Sequence, residues 1–381
     1  KIYSTKGVLP VPPVLKLPIA IIGVLKEVLF KKPKSNKSMQ LTMAKKVASV
    51  EDEATYTGDY WHSIISADKA WQAIEEDSLE SVKVGVVDTG ISDIQTSLDE
   101  SRLSRLQILA DGGYVTTDTD DTDSEHGLWV TSFVAAHNMT EGKSYSGVNP
   151  YANVIHADVY FRRCDGILSA ADCPFGIGEK TFVTDLIAGA KATIDNGASI
   201  VNLSWGDTSK CSDPTEERLQ SRRSWRLNQT NLVEYAKSKD ALLVYSAGNN
   251  CEKADHQLLL SEDDIGADAW KTNALIVAAT DSSNMDATFS RMGEVVNIAA
   301  PGVDLGWGNG EVGSGTSYAA PLVTGSAGLI KGINSSLKAA EVRDILLSTA
   351  IYQFYAGLSV ILHILQRRDI TFADDANNEP Y

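Results

Sequence analysis

The chain has 381 residues, 43% of them hydrophobic, and a formal net charge of −16, enough apolar material for a full core in one large or two ordinary domains. The charge is unevenly spread: residues 1–47 hold ten lysines and one glutamate, which leaves the rest of the chain strongly acidic. An acidic body excludes nucleic acid as the expected partner, because phosphate backbones are bound by clustered Lys and Arg.

Residues 1–56 are expected to form a basic extension. Pro10, Pro12, Pro13 and Pro18 open it, Ile19 to Phe30 has the pattern of an amphipathic helix, and Lys31 to Lys37 is a basic polar run. Three readings are open: a segment that docks on the acidic body or another anionic partner, a helix that seeks an anionic lipid surface, or a linker. The apolar stretch Leu15 to Phe30 is interrupted by Lys16, Pro18, Lys26 and Glu27, and Ile351 to Leu365 is short. Neither is expected to span a bilayer. The opening lysine, with no signal-type pattern after it, suggests a processed or truncated chain.

From Val82 the pattern changes to short apolar runs separated by helical stretches. Strands are predicted at Val82 to Val87, Asn153 to Val159, Ser199 to Leu203, Ala241 to Ser246, Ala274 to Ala279 and Val295 to Ala299. Helices are predicted at Gly127 to Ala136, Phe182 to Asn196, Leu232 to Ser238 and Lys338 to Thr349. Near-continuous apolar strands alternating with helices predict an α/β fold, with a mostly parallel central sheet covered on both faces. Functional groups of such sheets gather beyond the carboxyl ends of the strands, where Asp88, Ser204 and Asn249 fall. Residues 57–350 are expected to form this domain, and 351–381 a polar-ended tail.

The acidic run Asp118, Asp120, Asp121, Asp123, Glu125 has oxygen ligands suited to a structural Ca²⁺. It lacks the glycine and terminal glutamate spacing of an EF-hand loop, so a solvated loop is the simpler reading and no metal site is assigned. Cys164, Cys173, Cys211 and Cys251 allow two disulfides in any of three connectivities. Loop position favours Cys164 with Cys173 and Cys211 with Cys251, which implies an oxidising, secreted or extracytoplasmic location.

Three separated segments carry chemistry. Asp88 ends a strand and is followed by Thr89-Gly90; His126-Gly127 opens a helix; Gly315-Thr316-Ser317-Tyr318-Ala319-Ala320-Pro321 runs from a small-residue turn into the apolar stretch Leu322 to Ile330. Each alone reads as a turn or helix cap. Together they supply an oxygen nucleophile at a helix N-terminus, an imidazole to take its proton and a carboxylate to orient the imidazole. The Asp-His-Ser order and the local motifs resemble the subtilisin-like serine proteases, the subtilases.

The resemblance spans roughly residues 57–350 and implies a subtilisin-like three-layer α/β/α fold and a serine endopeptidase acting on a peptide or protein substrate, with no cofactor required. It implies Asp88, His126 and Ser317 as catalytic residues. By the same resemblance Asn249, in Ser246-Ala247-Gly248-Asn249, holds the oxyanion. Ser204-Trp205-Gly206 and Ala247-Gly248 bind substrate as an added strand, and Lys46 to Glu53 is similar to the end of an inhibitory propeptide. The chain departs from the family pattern at Leu128, Trp129, Tyr318 and Leu322, all next to the motifs and none in the triad. Two rivals remain: an aspartic protease built on Asp88-Thr89-Gly90, which would need a second such motif, and a catalytically inactive subtilase-like binding module.

Overall fold

The computed structural model describes residues 15–16 and 60–352, apart from 68–69, 72–78, 92–97, 110–112, 118–124, 137–146, 160, 164–177, 181–182, 206–215, 250–267, 294 and 307–311. The chain runs through β1 (Leu15–Lys16), α1 (Tyr60–Ile65), β2 (Lys83–Asp88), β3 (Leu103–Ile108), β4 (Tyr114–Thr117), α2 (His126–Ala135), β5 (Asn153–Asp158), β6 (Phe161–Arg163) and β7 (Gly178–Lys180). It continues with α3 (Val183–Asp195), β8 (Ile200–Leu203), α4 (Glu216–Ser238), β9 (Leu242–Ser246), α5 (Asp268–Asn273), β10 (Ala274–Thr280) and β11 (Ile298–Pro301). The last elements are β12 (Leu305–Gly306), β13 (Val312–Gly313), α6 (Thr316–Ile333), α7 (Ala339–Thr349) and β14 (Ile351–Tyr352).

The main sheet has the order β14-β1-β11-β10-β9-β8-β2-β5-β3-β4. Every neighbouring pair from β11 across to β3 is parallel, and β4 closes that end antiparallel to β3. At the other end the backbone of residues 15–16 in the N-terminal extension lies parallel to β11 and antiparallel to β14. The expected helix at 19–30 and the propeptide-like stretch at 46–53 lie outside the described residues, as does the acidic run 118–124.

Alternation along each strand sends side chains to two cores. In β9, Leu242 and Val244 join Trp61, Val130, Phe133, Leu322, Val323 and Ile345 under α1, α2, α6 and α7. Leu243 and Tyr245 join Ile194, Leu232, Val233 and Trp270 under α3, α4 and α5. The result is three layers, α/β/α. Each aliphatic side chain buried in this way contributes about 1.5–3 kcal/mol.

Sequence patterning found the central strands within a residue or two, and the structure corrects it at three places. The strand expected at Val295 to Ala299 lies at Ile298–Pro301, because Val295 and Val296 are buried without being in the sheet. Helix α4 begins at Glu216 rather than Leu232, its first half being too polar to show a stripe. β3 and β4 were not expected; β3 carries Arg105, only 8% exposed and held by Glu100 at 2.7 and 2.9 Å.

Candidate active site

β2 carries Asp88 to the carboxyl edge of the sheet where strand order reverses, with β5 and β3 on one side and β8 to β11 on the other. Such a reversal opens a crevice for ligands. Asp88 is 3% exposed, and its Oδ1 accepts the Thr89 N–H at 2.8 Å and lies 2.7 Å from His126 Nδ1. Its Oδ2 is buried without a hydrogen-bond partner among the described residues. Because a carboxylate only accepts, His126 donates from Nδ1 and keeps Nε2 as its basic nitrogen.

His126 is the first residue of α2, and about a third of its side chain (34%) reaches solvent. Burial works to lower its pKa, but the charge of Asp88 and the hydrogen bond to it prevail, and the net shift is upward from 6.5. The start of α2 is held against the β2 turn: Gly127 N–H donates to Thr89 Oγ1 at 2.7 Å. A Cβ at Gly127 would stand 1.8 Å from Thr89 O, so only glycine permits this approach.

Ser317 is the second residue of α6, a helix in which every residue but Ser317 and Lys331 is buried. Helices apolar all round sit inside a protein; here Ser317 is the one residue of the first turn that is not buried. Pro321 has no N–H to give to Ser317 O four residues before it. Ser204 Oγ donates to that carbonyl instead, at 2.7 Å. Asn202 Nδ2 donates to Ser204 Oγ at 2.8 Å, and Thr324 Oγ1 donates to Asn202 Oδ1 at 3.0 Å. The tip of β8 is thereby stitched to the first turns of α6.

Asn249 Oδ1 accepts both the N–H and the hydroxyl of Thr316 at 2.8 Å, and Thr316 Oγ1 accepts the Gly248 N–H at 2.9 Å. Gly248 has φ +99°, a conformation suited to glycine. With Oδ1 used twice, Nδ2 is the end of the amide left to donate. A Cβ placed on Gly315 would lie 2.9 Å from Ser317 Oγ, 3.4 Å from Asn249 Nδ2 and 3.6 Å from Ser317 N. A hydroxyl oxygen and two N–H donors therefore border one small space. Tyr318, next in sequence, packs its ring against His126, Trp129 and Phe133 at 5.6, 5.8 and 5.5 Å, bringing the starts of α6 and α2 together. Burial and the neighbouring Asp88 charge push its phenol above the ordinary range.

Of the other residues singled out by sequence, Ser204 lies at the β8 tip as described above. Trp205 is 8% exposed and meets Tyr245 edge-on at 6.2 Å in the core under α4. The Ala247 N–H donates to Val277 O and Gly248 O accepts from the Arg291 N–H. Gly206 and all four cysteines lie outside the described residues. Sequence reasoning assigned no role to Thr89 or Thr316; both stood inside the quoted motifs, and only their hydrogen bonds reveal what they hold.

The profile of the subtilase family, peptidase S8, matches residues 80–378. The chain belongs to the subtilase family, a family of serine-type endopeptidases. It is 29% identical to subtilisin DY of Bacillus licheniformis over 289 residues, 74% of this chain and 89% of that protein. It is 30% identical to alkaline elastase YaB of Bacillus sp. (strain YaB) over 287 residues, 73% of this chain but 62% of that one. Subtilisin E of Bacillus subtilis (strain 168) is likewise covered only in part, over 64% of its length. Among solved structures, a cold adapted subtilisin-like serine proteinase superposes with TM-score 0.50 at 22% identity, over 71% of this chain and 82% of its own. MycP1 with its N-terminal propeptide removed gives TM-score 0.50 at 18% identity, over 75% and 87%. These two likenesses concern the fold. Among the described residues no helix is long and apolar enough to cross a membrane.

Proposed function

We propose that this subtilase cleaves peptide bonds through Ser317, His126 and Asp88, with an oxyanion hole made by Asn249 Nδ2 and the Ser317 N–H. His126 Nε2 takes the proton from Ser317 Oγ as that oxygen attacks the scissile carbonyl. Asp88, bonded to Nδ1 at 2.7 Å, faces the imidazolium that forms. The carbonyl oxygen, now negative, receives the two N–H donors that border the space beside Gly315. His126 returns its proton to the leaving amine, and water repeats the sequence on the acyl-enzyme.

The observation that carries this reading is the Asp88–His126 hydrogen bond, with the ring of Tyr318, the neighbour of Ser317, packed against His126. The position of Ser317 at the start of a long helix adds to it, since that end favours developing negative charge. The experiment is hydrolysis of a denatured protein by the chain and by Ser317→Ala, with mass spectrometry of a sulfonyl fluoride adduct. Turnover lost in the variant and an adduct on Ser317 support the reading; equal turnover, or an adduct elsewhere, overturns it.

Ser204 and the segment around it supply the edge on which an extended substrate would add as a strand. The same proposal places the protein outside the cytoplasm, with Cys164–Cys173 and Cys211–Cys251 as disulfides. Four reactive thiols in unreduced protein would count against that. The stretch 46–53 is read as the end of an inhibitory segment, and N-terminal sequencing of active enzyme tests it.

A further inference from the structure

His156 lies at the centre of β5, fully buried, on the face of the sheet that carries Asp88, since it pairs in register with Val86. The neighbouring position on that face, Val154, is apolar and joins the core under α2. A polar ring in such a place costs free energy unless it is hydrogen bonded. Both nitrogens of His156 are engaged, Nε2 with Thr89 O at 2.7 Å and Nδ1 with Thr131 Oγ1 at 3.1 Å. A carbonyl only accepts, so Nε2 carries the hydrogen and Nδ1 accepts from the Thr131 hydroxyl.

Thr89 is the joint between Asp88 and His126. Its N–H donates to Asp88 Oδ1, its hydroxyl oxygen accepts the Gly127 N–H, and its carbonyl is packed against Gly127 Cα. The His156 ring holds that carbonyl and, through Thr131, the second turn of α2. We propose that His156 is a positioning residue, clamping the Thr89 turn and helix α2 together so that the Asp88 carboxylate stays aligned with His126 Nδ1. The inference rests on the catalytic reading given above. It extends that reading to a residue outside the three motifs, and the role is one of alignment, where a misplacement of about 1 Å costs on the order of a hundredfold in rate.

Two polar replacements of different reach test it. In His156→Gln the amide N–H reaches the place of Nε2–H and can hold Thr89 O; in His156→Asn the amide stops near Nδ1 and cannot. The expected result is kcat lowered about 10- to 100-fold in His156→Asn with KM little changed. The acid limb of kcat/KM should also move to lower pH, since His126 is then less well served by Asp88. His156→Gln should recover most of kcat and the limb. Equal kcat and equal pH limbs in the two variants, whatever their melting temperatures, overturn the proposal.

The Asp88–His126 Nδ1 proton, followed by NMR, gives a readout that needs no turnover. Its signal should weaken in His156→Asn and persist in His156→Gln. A wild-type chain without peptidase activity would defeat the catalytic reading and leave this signal to decide on His156: loss in Asn alone supports the clamp, and an unchanged signal in both variants refutes it.

Discussion

The two faces of the central sheet are built from the same strands and do different work. The face under α2 and α6 holds Asp88, His156, Asn202 and Ser204, each hydrogen bonded to a helix or a turn. The face under α3, α4 and α5 presents Leu243, Tyr245, Val201, Leu203 and their partners. A single-residue shift in strand register would exchange the two sets. The proposed chemistry is thus confined to one face by alternation, while the other face supplies burial that keeps the register fixed.

The largest effect that would test this division is at Ser317, the proposed nucleophile. Ser317→Ala should lower kcat roughly a million-fold, a scale taken from subtilisin itself, with the melting temperature little changed because Ser317 is one of two unburied residues of α6. Steady-state kinetics and calorimetry on the same sample check both halves. Asn249→Ala should cost about a hundredfold to a thousandfold in kcat, again on the subtilisin scale, with KM nearly constant. A loss confined to KM would mean that the amide binds ground-state substrate instead.

On the opposite face, Leu243→Ala should destabilise the fold by about 2–5 kcal/mol and leave kcat/KM unchanged at temperatures where the variant is folded. Denaturant melts with parallel assays decide this; a drop in kcat in the folded variant would dissolve the distinction between the faces.

The smallest expected effect is in pH dependence. His126 must be neutral to act as base, and its pKa is raised above 6.5, so the acid limb of kcat/KM should lie above pH 6.5 and move down in Asp88→Asn. Since folding raises this pKa, the Asp88–His126 pair adds stability that is complete below the unfolded value near 6.5 and is lost as pH climbs through the folded one. The melting-temperature gap between the wild type and Asp88→Asn should therefore narrow as pH rises. A widening gap would contradict the upward shift.

The fold was legible in the sequence wherever a strand is buried on both faces, because runs such as Val84 to Val87 and Leu242 to Val244 leave no polar residue to misread. It was illegible where burial is secured by pairing, as at Arg105 beside Glu100, or where polarity hides a helix, as in the first half of α4. The candidate site divides in the same way. Asp88, His126, Ser317 and Asn249 stand in recognisable motifs. The work of Thr89, Thr316 and His156 depends on which atoms of other strands and loops they meet, and that is a property of register and distance that spacing along the chain does not encode.

Pro321 shows how far such dependence reaches. By withholding one amide hydrogen it leaves the Ser317 carbonyl to be bonded by Ser204, a residue on the edge proposed to receive substrate. An alanine at position 321 would restore that hydrogen, and the carbonyl would then divide its two lone pairs between two donors, which weakens its bond to each. The hold of the β8 tip on Ser317 would slacken with no change to any group proposed to take part in the reaction.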